Sequence, residues 1–427
     1  MGVAVKAADR MGMLDFMPDV LNGGAVPLTT EATQHPGPLS GIRVVDLTTV
    51  ISGPLATMML ADQGADVIKI ESPRGGDFAR HLATRRGGFS AAFLNNNRNK
   101  RSVALDLKTT DGVSALKAIA ANADVFVQNF RPGVIERLGL GETVLREVNP
   151  SLIYVSIAGF GFEGPLAEKP VYDPLIQATS ALSTVQAGSD EERPRLVRTI
   201  LPDKLTGYQT AQAITAALFA RERTGIGQHI QVSMLDTVVA FLWSSDMNGH
   251  TFVGDELERE DAQSFIDLIY KVTDGYVSVA VMQDKQWQSF AHAVDRPGLL
   301  DDPRFQTAEA RETNRDARLQ LIQDCLRPFS VAEVVERMER ADVPVAPVLT
   351  RSEMRQHPQV VANGSVVETD HPKAGRLRQA RHAAVFSKTP TSIRRGAPTL
   401  GEHTKDVLSE VGLNAGRLDA PLTPKTT

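Results

Sequence analysis

Short apolar segments that recur between Gly41 and Gly161 constrain the fold of this chain more than any other feature of the sequence. In chain order they read IRVVDL, ADVIKIE, SVALDL, DVFVQNF and SLIYVSIAGFG. Runs of this kind, with helix-forming stretches between them, are typical of strands that are buried on both faces of a parallel sheet. The sequence therefore predicts a doubly wound, Rossmann-like α/β sheet.

The patterning also divides the chain into regions. The start of the chain and the charged stretch GDELEREDAQ carry no periodic pattern, whereas DLIYKVTDGYVSVAV is typical of a hairpin with its turn at Thr273–Gly275. The predicted regions are an N-terminal extension over 1–38, the first part of a large α/β domain over 39–235, a linker helix and loop over 236–262, a small α+β domain over 263–350, and a C-terminal segment over 351–427.

Composition limits the classes of function. The 427 residues are 42% hydrophobic, which suffices for two or three domains at roughly 150 residues each. A net charge of −5 leaves no global basic field for nucleic acid or an anionic membrane, and no apolar run approaches the roughly 18 residues of a membrane span. The single cysteine, Cys325, excludes an internal disulfide, and the histidines do not cluster at metal-binding spacing. We therefore expect a cytoplasmic enzyme without a metal ion.

Asp203 is the candidate catalytic residue. In RTILPDKLTGYQ it lies between an apolar stretch and a sequence that predicts a long helix. A carboxylate at this place either caps the helix, which is a common role of aspartate, or acts as a nucleophile. No GxxxxGK[ST], GxSxG or HExxH motif offers another site. The GxGxxG match at Gly159–Gly164 is followed by prolines instead of a clear helix, so it does not indicate a dinucleotide site.

Six blocks of the sequence together resemble the class III CoA-transferases, a family that includes formyl-CoA transferase, carnitine CoA-transferase and the related 2-methylacyl-CoA racemases. The blocks are GIRVVDLTTVISGPLATMMLADQGADVIKIESPRGGD, NKRSVALDLKTTDG, ADVFVQNFRPGVIERLGL, YDPLIQATSAL, ALFARERTGIGQHIQVSMLD and LGEHTKDVL. The likeness runs from about Gly41 to about Leu413. The family moves coenzyme A from an acyl-CoA donor to a free carboxylic acid. Its catalytic aspartate heads a long helix, and the matching position here is Asp203.

The chemistry that the resemblance implies for Asp203 is covalent catalysis. Its carboxylate would attack the thioester carbonyl, giving a mixed anhydride and CoA thiolate, and the thiolate would then leave an enzyme thioester. An acceptor carboxylate would displace CoA from that thioester. Because the nucleophile must be ionised, we expect the amides at the helix N-terminus to favour its ionised form. Nearby backbone N–H groups could also hold the developing oxyanion.

The resemblance also implies which residues contact the CoA ester, which is a substrate and not a permanently bound cofactor. Cations are needed for its phosphates, at the carboxyl ends of the parallel strands. For Lys108, Lys169 and Ser72, an ordinary solvated position is an equal alternative. The implied contacts are Ile51, Ser52, Ser72, Leu105, Lys108, Asn129, Phe130, Arg131, Arg137, Lys169, Tyr172 and Asp173.

Two departures from the formyl-specific members bear on the substrate. Those members carry Gln and Ala where this chain has Ile51 and Ser52, and they carry a run of glycines that this chain lacks. We therefore expect a substrate pair other than formyl-CoA and oxalate, and some other way of keeping water from the intermediate. Succinyl-CoA with a small organic acid is the pair that the family suggests.

The resemblance further implies an interlocked homodimer. In the family the C-terminal segment returns to the large domain, which leaves an open ring through which the partner chain threads. The expected partners are therefore a second copy of the chain, an acyl-CoA and a small carboxylic acid.

Tyr172 separates the transferase interpretation from a racemase interpretation. The racemases use a His–Asp pair, and Tyr172 stands where their histidine would be, before Asp173. A tyrosine ionises at about pH 10 in ordinary surroundings and is a poor base at neutral pH, so a transferase is favoured. A racemase-like isomerase and a non-catalytic acyl-CoA-binding protein remain the alternatives. Asp173 is either a hydrogen-bonding residue of the pocket or a turn residue before Pro174.

Because Tyr172 replaces the racemase histidine, we predict that the protein does not exchange the α-proton of 2-methylacyl-CoA with solvent at turnover rates. Incubation in deuterated water with NMR detection measures this exchange. Enzyme-dependent deuterium uptake at turnover rates would support the racemase instead.

Overall fold

The structure is a computed structural model, and it describes residues 37–82, 84–256 and 268–414. The extension predicted over 1–38 therefore lies outside the described residues except at its end. The last part of the linker predicted over 236–262, the first part of the small domain and residues 415–427 of the C-terminal segment also lie outside them.

The chain divides into two compact units. One consists of residues 1–259 together with 364–427, and the other of residues 260–363. The domain limits at 263 and 350 stay a prediction.

Strands and helices follow one another as the sequence patterns indicate. In chain order, the strands of the described residues are β1 (Arg43–Leu47), β2 (Asp66–Glu71), β3 (Arg85–Arg86), β4 (Phe89–Ser90), β5 (Lys100–Ala104), β6 (Val125–Gln128), β7 (Ile153–Ala158), β8 (His229–Ser233), β9 (Ile269–Lys271), β10 (Tyr276–Val279), β11 (Val345–Pro347), β12 (Val366–His371) and β13 (Gly375–Ala380).

The described α-helices are α1 (Ser52–Asp62), α2 (Ala91–Asn97), α3 (Thr110–Ala121), α4 (Val134–Arg137), α5 (Glu142–Val148), α6 (Asp173–Thr179), α7 (Leu182–Val185), α8 (Leu201–Thr224), α9 (Met234–Trp243), α10 (Asp284–Ala293), α11 (Ala308–Thr313), α12 (Arg315–Leu326), α13 (Val331–Arg340), α14 (Arg351–Met354), α15 (Pro358–Ala362) and α16 (Thr404–Glu410). Among them, none is long and apolar enough to cross a membrane.

A six-stranded parallel sheet forms the centre of the larger unit, in the order β5-β2-β1-β6-β7-β8. Numbered among themselves, these strands run 3-2-1-4-5-6, which is the order of doubly wound dinucleotide-binding folds. The order reverses between β1 and β6, so the loops after these two strands flank the crevice where such sheets bind ligands. The predicted doubly wound α/β fold is confirmed.

Helices cover both faces of this sheet because its strands are apolar on both sides. On one face, Leu116 of α3 and Leu408 of α16 belong to the buried core. On the other face, Leu60 of α1 and Ile214 of α8 do the same. Each fully buried side chain of this size contributes about 1.5–3 kcal/mol. The two layers together fix where the carboxyl ends of the strands lie.

Helices α1 and α8 approach each other closely near their starts. A Cβ at Gly207 of α8 would lie 2.9 Å from the carbonyl oxygen of Ser52 and 3.0 Å from Cδ2 of Leu55, so glycine is needed at this contact. Asp203 lies one helical turn before Gly207. The close approach therefore brings Ser52, at the start of α1, to the head of α8.

Within the larger unit, the chain after residue 363 packs against the part that carries the parallel sheet. Asn99 Oδ1 accepts the N–H groups of Arg394 at 2.7 Å and Arg395 at 2.9 Å. Farther on, Glu410 of α16 forms ion pairs with Arg43 and Arg101 at the amino ends of β1 and β5. These contacts fasten the C-terminal segment to the same sheet that carries the crevice.

The smaller unit is α+β in its described residues. Strands β9, β10 and β11 form an antiparallel sheet in the order β11-β10-β9, with the turn between β9 and β10 at the predicted Thr273–Gly275. Trp287, Phe290 and Phe305 pack against one another in its buried core.

Candidate active site

Asp203 is the third residue of helix α8, and it does not cap that helix. The N-cap residue is Ile200, which makes no side-chain cap. A residue outside the helix takes the place of a capping side chain: the buried carboxylate of Asp173 accepts the N–H of Asp203 through Oδ2 at 3.2 Å. The interpretation of Asp203 as a pure helix cap is therefore wrong, and its carboxylate is available for another role.

Asp173 is itself fixed by Gln177, one turn further along α6. Gln177 Nε2 donates to Asp173 Oδ1 at 2.6 Å, and Gln177 Oε1 accepts the N–H of Val197 at 2.9 Å. Nε2 also lies 3.3 Å from the carbonyl oxygens of Val197 and Thr199. Helix α6 thus holds the extended segment that leads into α8, and Asp173 is a hydrogen-bonding residue as well as the first residue of a helix.

Ser52 is the second contact of the Asp203 carboxylate. Both the backbone N–H and the hydroxyl of Ser52 act on this carboxylate in the direction that favours its ionised form. The pKa of Asp203 is raised to about 6: burial is the largest cause, the Asp173 carboxylate adds to it, and the two hydrogen bonds from Ser52 oppose it. The helix amides alone would lower the pKa of Asp203. The pKa is instead raised, because burial and the negative charge of Asp173 outweigh the effect of the amides.

Loop 48–52, which joins β1 to α1, lies against the loop after β6. Ile51 and Ser52 are buried at its end. Asn129 is half-buried and bonds with its side-chain amide to the backbone of Thr49. Phe130 packs against the core on the α3 face of the sheet. Four residues predicted to contact CoA therefore meet where the strand order reverses.

The predicted cations lie in the connections that follow the strands of the sheet, three of them in loops and Arg137 at the end of the short helix α4. Lys108 follows β5, Arg131 and Arg137 follow β6, and Lys169 lies in the long loop after β7. All four side chains are exposed and so are accessible to a phosphate.

Three other predicted contacts differ in which of their atoms a ligand can reach. Ser72 is exposed in the loop after β2, where its hydroxyl accepts the N–H of Arg74 at 3.2 Å. Leu105 is buried in the core, so only its backbone could meet a ligand. Tyr172 is 75% exposed, and its side chain makes no cap at the start of α6.

A cleft of about 550 Å³ opens next to these loops. Lys169 lines it, together with two glutamates, Glu163 and Glu168, that the sequence did not single out. The rest of its lining is formed by Pro132, Phe162, Gly164, Pro165 and Ala167. Among the residues that the structure describes, no group of His, Cys, Asp and Glu is arranged to hold a metal ion.

A network of buried ion pairs lies beneath loop 48–52, and sequence reasoning missed it. The pairs share the property that both partners are almost fully buried, and they are Lys100–Asp46 at 2.9 Å, Lys69–Asp77 at 2.9 Å and Arg80–Glu71 at 2.6 Å. The sequence does contain an indication of these ion pairs, because Asp46 and Lys69 are charged residues within the otherwise apolar strands β1 and β2. A charge in a strand that is buried on both faces needs a buried partner.

The family model described as CoA-transferase family III matches residues 39–404 of this chain. The chain belongs to this family.

Individual relatives agree with the family model. The human "Succinyl-CoA:glutarate CoA-transferase" is 33% identical over 381 residues, which cover 88% of this chain and 86% of that protein. The "Formyl-CoA:oxalate CoA-transferase" of Streptomyces avermitilis is 33% identical over 395 residues, or 88% of this chain and 96% of that protein. A solved structure of a CAIB/BAIF family protein from Brucella suis matches with a TM-score of 0.78 at 30% identity, covering 88% of this chain and 100% of that one. The resemblance to class III CoA-transferases is confirmed, and the protein is an enzyme of that class.

The raised pKa of Asp203 generates a prediction for the class III reaction. If the ionised carboxylate is required, kcat/KM should fall as the pH drops through about 6. Ser52→Ala removes a hydrogen bond that favours the ionised form, so the midpoint of the profile should move to higher pH. A midpoint near the ordinary aspartate value, or one that Ser52→Ala leaves in place, would contradict this assignment.

Proposed function

We propose that this enzyme moves CoA from an acyl-CoA donor to a free carboxylic acid through a covalent intermediate on Asp203. The observation that carries the proposal is the environment of the Asp203 carboxylate. This group is half-buried at the start of α8, and Ser52 lies beside it. Its pKa is raised to about 6. Such a carboxylate is still mostly ionised near neutral pH. It is also more basic, and so a better nucleophile, than an ordinary aspartate.

The proposed reaction has two symmetric halves. The Asp203 carboxylate attacks the thioester carbonyl, the C–S bond breaks, and CoA leaves as a thiolate while the acyl group stays on Asp203 as a mixed anhydride. The thiolate then attacks the Asp203 carbonyl, and the donor acid leaves as a carboxylate that keeps one oxygen of Asp203. The resulting Asp203–CoA thioester reacts with the acceptor carboxylate by the same two steps in reverse order. No net proton is gained or lost.

The surrounding residues support this assignment of steps. The N–H and hydroxyl of Ser52 lie at the Asp203 carboxylate, where negative charge develops and disappears as the anhydrides form and break. Asp173 keeps the start of α8 in place by accepting the N–H of Asp203. Lys108, Arg131 and Arg137 are proposed to meet the phosphates of CoA, because charge-assisted hydrogen bonds to phosphate are strong ones.

The acceptor that we propose is a small dicarboxylic acid. Glutarate and oxalate, the acids in the names of two relatives, are both dicarboxylic. The departures at Ile51 and Ser52 from the formyl-specific pattern favour succinyl-CoA and a longer acid over formyl-CoA and oxalate. Measuring new CoA esters in a panel of donors and acids identifies the pair, and transfer confined to monocarboxylic acids would exclude this proposal.

We also propose that the active form is the interlocked homodimer that the resemblance implies. Light scattering after dilution to low micromolar concentration measures the assembly. Folded monomer under those conditions would exclude interlocked chains.

Asp203→Ala and Asp203→Asn test the covalent role. Each variant should stay folded and bind the CoA ester, and each should lose at least about a thousandfold in transfer, since removal of a nucleophile has effects of that order. When the wild type is incubated with acyl-CoA and no acceptor and is then treated with hydroxylamine or borohydride, mass spectrometry should find a modified Asp203 peptide.

The Asn variant is the matched control, because it keeps the shape of the side chain and removes only the charge and the nucleophile. An active Asp203→Asn variant, together with an unmodified Asp203 peptide in the wild type, would disprove the covalent intermediate.

A further inference from the structure

Loop 48–52 has a backbone conformation that valine does not adopt by itself. Val50 has a φ of 73°, in the left-handed region, where a β-branched residue is a genuine outlier. The loop also folds tightly, since a Cβ at Gly53 would lie 2.4 Å from Thr48 Cβ. Conformations of this kind persist only where the surrounding structure holds them.

Asn129 holds the middle of the loop with both polar atoms of its side-chain amide. Its Oδ1 accepts the N–H of Thr49 at 3.0 Å, and its Nδ2 donates to the carbonyl oxygen of Thr49 at 2.9 Å. Because Asn129 follows β6 and Thr49 follows β1, this pair joins the two loops at the place where the strand order reverses.

A buried ion pair holds the loop on either side of Thr49. Lys69 Nζ donates to the carbonyl oxygen of Thr48 at 2.8 Å, and Asp77 Oδ1 accepts the N–H of Val50 at 3.0 Å. Lys69 and Asp77 lie 2.9 Å apart, and neither side chain is exposed. Each backbone polar group from the Thr48 carbonyl to the Val50 N–H is therefore bonded to a side chain outside the loop.

The loop leads directly to Ser52, whose N–H and hydroxyl lower the pKa of the Asp203 carboxyl group. The carbonyl oxygen of Ser52 lies against Gly207, one helical turn after Asp203. We propose that Asn129 is a positioning residue for the transfer reaction: by holding Thr49, it keeps Val50 in its left-handed turn and directs Ser52 at Asp203. The inference rests on the proposed nucleophilic role of Asp203. Both polar atoms of the Asn129 amide are bonded to Thr49, so we expect this side chain to act through the loop, and the Kd of the CoA ester distinguishes that role from a direct contact.

Asn129→Ala in the full-length protein tests this role. The rate of adduct formation on Asp203 from acyl-CoA should fall about 10- to 100-fold, the effect of a misplaced reacting group. The Kd of the CoA ester should stay within about twofold, because a positioning residue makes no contact in the ground-state complex. Adding Val50→Gly to this variant should restore the rate by about tenfold, because glycine adopts the left-handed conformation without the cost that valine has.

Two further variants serve as controls. Asn149 Nδ2 also donates to a backbone carbonyl, that of Ala123 at 2.8 Å, but it precedes β7 and so lies at the opposite edge of the sheet. Asn149→Ala should therefore lower the thermal stability without changing the rate of adduct formation. Arg131→Ala, in contrast, should raise the Kd of the CoA ester, as the loss of a phosphate contact does.

Several outcomes would overturn the inference. A raised Kd with an unchanged adduct rate in Asn129→Ala would make Asn129 a direct contact of CoA, and failure of Val50→Gly to restore the rate would remove the link through the loop. Adduct formation at the wild-type rate in Asn129→Ala overturns this inference alone. Absence of any Asp203 adduct in the wild type overturns the proposed function, and this inference with it.

Discussion

Two carboxylates meet at the start of helix α8, and the rest of the site depends on how they are held together. Asp173 accepts the N–H of Asp203 at 3.2 Å, and its charge, added to burial, raises the pKa of Asp203 to about 6. A carboxyl group whose pKa is higher in the folded than in the unfolded state destabilises the fold once it ionises. The folded protein therefore loses stability as the pH rises from about 4 to about 6, and a reactive carboxylate at neutral pH has a cost in stability.

Buried charges of opposite sign explain how the site keeps its shape despite that cost. Lys69 and Asp77 bond to the backbone of loop 48–52 on both sides of Thr49, and Lys100 Nζ donates to the carbonyl oxygen of Pro54 at 2.9 Å. Removing one partner of a buried pair typically costs about 3–5 kcal/mol, whereas the intact pair contributes little net stability. The main effect of these buried ion pairs is therefore to fix the backbone of loop 48–52 and of Pro54, and their net contribution to the free energy of unfolding is small.

The fold could be predicted from the sequence because its signals are local. Apolar runs mark strands β1, β2, β5, β6 and β7, and their alternation with helices implies a parallel, doubly wound sheet. The position of Asp203 at the start of a long helix could be predicted for the same reason. These features depend on residues within a few positions of one another.

The electrostatics and the loop conformation could not be predicted, because they depend on distant residues. Asp173, which raises the pKa of Asp203, lies 30 positions away, and the helix amides alone suggested the opposite direction. Asn129, which holds the loop beside Val50, lies 80 positions from Thr49, and nothing near Val50 indicates a left-handed turn. Only the charges inside apolar strands, such as Lys69, gave a local indication that a buried network exists.

The most direct test of the central claim, that Asp203 carries the transferred groups, is to follow oxygen atoms with an ¹⁸O-labelled acceptor acid. In the covalent mechanism, the acceptor carboxylate gives one oxygen to Asp203 each time its acyl group passes to CoA, and Asp203 gives one of its oxygens to the donor acid in the next turnover. Mass spectrometry should therefore find ¹⁸O first in the Asp203 peptide and then in the released donor acid. An unlabelled Asp203 peptide after many turnovers, with ¹⁸O confined to the acceptor and its CoA ester, would contradict the account.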